Sequence, residues 1–181
     1  MYPKEFIEYM VHFHGDRDYF ECHEILEEYW KRKDPGNKES IWVGFIQLAV
    51  ANYHHRRTNF IGANRTLEKA ISIFKSQPEA VTQAGLKYTL LIKELNDRLS
   101  EIEKRAPYVS MLLPIQDPIL LNQCIHLCRQ KGFNWGRHSD LTKASLVHRH
   151  KLRDRTSVIA EREHAIKLKA VLKDNVDFEK R

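Results

Sequence analysis

Glycine, proline and cysteine are all scarce in this chain: seven, six and three among 181 residues. So few turn-formers disfavour a loop-rich all-β fold. The three cysteines, Cys22, Cys124 and Cys128, are too few, and odd in number, for a disulfide framework. They read as reduced thiols of a cytoplasmic protein. No apolar run approaches the roughly 20 residues that cross a bilayer. The opening Met-Tyr-Pro-Lys-Glu lacks the charged-then-apolar pattern of an export signal. A cytoplasmic protein without membrane contact is the expectation.

What is present is a globular composition, 42% apolar and 30% charged. The length suits one domain, or one domain with an appendage. The net charge of +6 is uneven. Residues 137–181 hold twelve Lys/Arg against seven Asp/Glu, so nearly all of the excess lies in the last quarter. Such a bias fits either a solvated basic helix or contact with nucleic acid or an acidic partner.

Apolar spacing near 3.6 residues predicts helices over 4–14, 18–33, 39–57, 60–75 and 79–105, the last jogged at Gly85. Asp34-Pro35-Gly36-Asn37 and Gln77-Pro78 are breaks between them. Residues 108–114 read as a strand or an extended crossing. Helices follow over 117–131, 139–150 and 154–173. The fold class is all-α: a helical bundle with tetratricopeptide-like antiparallel helix pairs over 1–105, then a basic helical extension over 106–181. The segment from Gly44 to Ala70 resembles one tetratricopeptide-like pair, but no second copy follows at a 34-residue period.

The densest chemistry lies between Asp18 and Trp30. At 100° per residue, Tyr19, Cys22, Leu26, Tyr29 and Trp30 share one apolar arc, and His23 and Glu27 stack at its shoulder. Glu24 sits further round. In the following apolar helix Gln47 and His54 share a stripe seven residues apart. A buried glutamine needs partners, and His23 and Glu27 are the expected ones. The polar cluster predicted here is His23, Glu24, Glu27, Gln47 and His54.

This cluster has a structural and a chemical reading. As a hydrogen-bond network it joins two helices. As a divalent metal site it offers His23, Glu27 and His54 (or His55) as ligands and Glu24 as base, the outline of a metal-dependent hydrolase. His23-Glu24-x-x-Glu27 departs from the zincin helix, where a second histidine stands in place of Glu27. Nor does it fit a di-iron bundle, which repeats Glu-x-x-His on facing helices: here His23 precedes the glutamates and the motif has no second copy. Cys124-x-His126-x-Cys128 puts its two thiols on one helical face and His126 elsewhere, which suits buried apolar thiols better than a metal.

Phe20-Glu21, His23-Glu24, Leu26-Glu27 and Trp30, then Gly44-Phe45-Ile46-Gln47, Ala49, His54, Asn59 and Gly62-Ala63, resemble the bacterial domain-of-unknown-function family number 309. The resemblance covers residues 12–75. It implies a small all-α fold, reaching to about Arg105, in a cytoplasmic bacterial protein, and no agreed activity. Residues 108–114 and 150–162 resemble the extension of the longer, Bacillus-type form. The expected role is an interaction or scaffold module with a protein partner, with nucleic-acid contact through 137–181 as a further reading. Aromatics for base stacking are absent from the most basic part of that stretch, residues 137–155.

Overall fold

Side-chain caps set the helix starts. In the computed structural model, which describes residues 1–149, the Asp18 carboxylate accepts the Glu21 N–H at 3.1 Å and opens α2, Tyr19–Lys33. Asn59 accepts the Gly62 N–H at 3.1 Å and opens α4, Phe60–Ser76. Asp117 accepts the Ile119 N–H at 2.8 Å, and Pro118 takes the first position of α7, Pro118–Gln130. Each cap satisfies a backbone donor that the helix leaves orphaned, and proline costs nothing there. The other helices are α1 (Lys4–Val11), α3 (Ile41–Arg56), α5 (Pro78–Gln83), α6 (Tyr88–Glu103) and the single turn α8 (Ala144–Val147). The described residues contain no strand, so this part of the chain is all-α, with one isolated antiparallel bridge, Leu86 to Ile115.

The core forms around α1 and α3. Phe6 and Phe45 have ring centroids 5.0 Å apart, Tyr9 and Phe45 5.7 Å, and Phe45 and Phe74 4.9 Å. All four rings are fully buried. Such a cluster is worth about 1.5–3 kcal/mol of burial per ring. Three residues, 57–59, join α3 to α4, so these two packed helices run antiparallel. Gly44 makes their close approach possible. A Cβ there would stand 2.8 Å from Phe74 Cε1 and 3.1 Å from Ile73 Cγ2.

The first helix does not stop at Gly15. It widens into a π-helical turn, His12–Asp16, and ends at Arg17, whose backbone is left-handed at φ 62°. The jog expected at Gly85 is a full break: Gly85 has φ 83° and separates α5 from α6. Residues 108–114 are an extended crossing. The Lys87 N–H donates to the Pro114 carbonyl at 2.9 Å, and the Gln116 N–H to the Gly85 carbonyl at 2.8 Å.

Three other expectations change. The boundary drawn after Arg105 falls inside the compact unit Met1–His148, because α7 packs on α1 and buries Leu120, Cys124 and Cys128. The helix expected over 139–150 shrinks to Ala144–Val147. Ahead of it Asp140 makes a turn, its carboxylate accepting from the Thr142 N–H and hydroxyl. The helix expected over 154–173, and most of the basic stretch 137–181, lie outside the described residues.

Candidate functional site

The cap at Asp18 fixes the first turn of α2, and the next turn carries the predicted cluster. The His23 ring sits between two carboxylates. Nδ1 is 3.1 Å from Glu24 Oε1, and Nε2 is 3.2 Å from Glu27 Oε2. The other oxygen of Glu27, Oε1, takes an ion pair from Lys31 Nζ at 2.9 Å. The side chains of His23, Glu24 and Glu27 are 29%, 34% and 32% exposed, so solvent reaches all three. One ligand atom from each lies within 4.8 Å of the other two. Phe20 flanks the imidazole, with ring centroids 6.3 Å apart.

The other two members of the predicted cluster are elsewhere. His54 is at the C-terminal end of α3, and its Nδ1 accepts from the Asn59 side-chain amide at 3.1 Å. It thereby steadies the residue that caps α4, and it is not part of the converging group. Gln47 is half-buried and no hydrogen bond joins it to His23 or Glu27. A half-buried glutamine is not a fully buried one, and the demand for a partner inside the protein is weaker than the sequence suggests. His55, the substitute third ligand, is buried with Nε2 donating to the Ala106 carbonyl at 2.9 Å.

A second polar centre escaped the sequence reading. His14 is buried, with Nδ1 donating to the Met10 carbonyl at 2.8 Å and Nε2 accepting the Leu113 N–H at 2.9 Å. A carbonyl on one side and an N–H on the other fix this tautomer. Burial, with the nearby Arg17 charge and against the bond to Met10, pushes His14 down to about 3. Arg17 is 1% exposed. Its guanidinium donates to the carbonyls of Phe13 and Met111 at 2.7 Å and of Arg137 at 2.8 Å. Arg56 donates to the Arg17 carbonyl at 2.7 Å, to Ser139 Oγ at 2.8 Å and to the Leu146 carbonyl at 3.1 Å, and lies 4.9 Å over the Tyr19 ring. These groups tie 106–148 onto the bundle. The thiols are closed to chemistry: burial, and then the neighbouring Cys128, pushes Cys124 up to about 12, and burial raises Cys22 and Cys128.

The surface also carries a groove of about 600 Å³ where the starts of α1, α3 and α7 meet α5. Tyr2, Phe6, Ile41, Trp42, Ala84 and Ile119 form its apolar wall. Tyr2 is held by a 2.5 Å bond from its hydroxyl to Asp117, and Ile119 is 64% exposed. A shallower cavity of about 420 Å³ lies between α4 and the end of α6, beside Ile61 and Arg65. His23, Glu24 and Glu27 line neither of these.

Residues 6–66, from the middle of α1 into α4, match the family model described as a domain of unknown function, DUF309. The chain is also 47% identical over 174 residues to "Uncharacterized protein YpuF" of Bacillus subtilis (strain 168), spanning 96% of this chain and 100% of that protein. The chain belongs to the DUF309 family. The stretch matched by the DUF309 model holds His23, Glu24, Glu27 and His54, while the likeness to the Bacillus protein continues through the extension that Arg17 and Arg56 fasten. No solved structure matches the chain.

Proposed function

We propose that this protein is an intracellular helical interaction module that holds apolar side chains of a partner protein in the groove between α1, α3, α5 and α7. The observation that carries this is the groove itself, with aromatic walls and a large aliphatic side chain, Ile119, 64% exposed at its rim. Exposed apolar surface of this kind costs solubility unless something covers it, and aromatic side chains set in pockets dominate binding energy at interfaces. The walls are firm. Trp42 stands edge-on to Phe6 at 5.5 Å and to Tyr29 at 5.1 Å, and Tyr2 is latched to Asp117. The free, buried thiols fit a reducing compartment. Among the described residues no helix is long and apolar enough to cross a membrane.

The test compares the full-length chain with Ile119→Glu and Trp42→Ala in affinity purification from the native cell, after melts show that the variants fold. A stoichiometric protein partner recovered with the wild type and lost with both variants is the expected result. Partners recovered equally by all three chains, or by none, overturn the groove as the docking surface.

A further inference from the structure

We propose that His23 and Glu27 form a two-point chelate for a first-row divalent ion of the zinc type, with Glu24 as the carboxylate that orients the imidazole. The argument rests on which atom faces which. Ligand atoms about 2.0–2.1 Å from one ion lie about 3.0 Å apart at a right angle and about 3.4 Å apart at a tetrahedral angle. His23 Nε2 and Glu27 Oε2 are 3.2 Å apart, between these limits. They are four residues apart on a regular helix, so the backbone already holds them on one face.

The other contacts leave that pair of atoms available. Lys31 engages Glu27 through Oε1, which leaves Oε2 turned to the ring. Glu24 meets the ring at Nδ1, the nitrogen that an ion on Nε2 does not use. A metal-bound histidine commonly gives its second N–H to a carboxylate, which fixes the tautomer and makes the ligating nitrogen more basic. Glu24 stands where such a carboxylate belongs, so its role is positioning rather than proton transfer. Both ligands are about a third exposed, at 29% and 32%, so water can reach the pair to fill the remaining coordination positions. An imidazole with one carboxylate suits zinc, copper, nickel or cobalt, whereas calcium and magnesium favour oxygen-only sets. The inference is independent of the groove, which these residues do not line.

The experiment titrates Zn²⁺ into the full-length, tag-free chain by calorimetry and follows Co²⁺ binding by visible absorption. The expected result is one ion per chain in the wild type, and loss of at least tenfold in affinity in His23→Ala and in Glu27→Gln. Glu24→Gln should weaken Zn²⁺ by about ten- to a hundredfold and shift the Co²⁺ bands, with the metal-free melt unchanged. Absence of Zn²⁺ binding in the wild type overturns the proposal, as does affinity that His23→Ala and Glu27→Gln leave intact. Should His23→Ala fail to fold, Glu27→Gln decides alone.

Discussion

At the residue scale, His14 contributes to how the protein responds to acid, as does His55, which burial also pushes down. The folded value of His14, about 3, lies below the ordinary 6.5 because charging it would place a cation in the core beside Arg17 and break the bond from Leu113. A depressed histidine favours the folded state fully above the unfolded value. As pH falls below about 6.5 the unfolded chain takes up a proton that the folded chain refuses, and stability declines toward pH 3. The slope for one such proton is about 1.4 kcal/mol per pH unit. Urea denaturation at pH 7, 6, 5 and 4 checks this. The wild type should lose stability across the series, and His14→Gln should start lower and fall less steeply. Equal slopes in the two chains would remove His14 as the source. Nothing in the sequence marks His14 out from the other nine histidines. Its partners are a carbonyl one turn back and an N–H 99 residues ahead.

At the element scale, the contact between α3 and α4 hinges on Gly44. Gly44→Ala gains about 1 kcal/mol of helix propensity. It also drives a methyl into Phe74, a fully buried ring already in contact with Phe45. Overpacking of this kind costs about 1–3 kcal/mol. A net loss of up to about 2 kcal/mol by chemical denaturation is expected, with partial recovery on adding Phe74→Leu. The elements themselves were largely legible. Asp18, Asn59, Asp117 and Pro118 announce helix starts because capping is a matter between residues two or three apart. The candidate site was legible in part. His23, Glu24 and Glu27 meet because they share a helix face, but His54 was misplaced because its partner is the cap of the next helix. The π turn and the left-handed Arg17 were not legible, since the Arg17 guanidinium beyond the turn finds its acceptors at the Met111 and Arg137 carbonyls, about a hundred residues ahead.

At the scale of the whole molecule, the bundle and residues 106–148 fold as one unit. A chain cut after Arg105 leaves Arg17 without the carbonyls of Met111 and Arg137, and Arg56 without Ser139 and Leu146. It also strips Tyr108 from the Tyr19 hydroxyl, and Leu120, Cys124 and Cys128 from the core. Each buried polar group left unpaired costs about 1–3 kcal/mol, and more when charged. Together these losses rival the 5–15 kcal/mol by which a typical domain is stable. The truncated chain is expected to lose cooperative unfolding and amide dispersion in NMR spectra, and a sharp melt would show a separable domain instead. Charge and composition could not reveal this, because the two buried arginines of the joint are met largely by main-chain carbonyls. That has a consequence for how the chain can change. Carbonyls are common to all twenty amino acids, so Arg17 and Arg56 recognise, at Met111, Arg137 and Leu146, the course of the polypeptide rather than its spelling. Substitutions at those three positions keep the lock as long as the chain follows the same path, whereas an insertion or deletion between them would put the acceptors out of step.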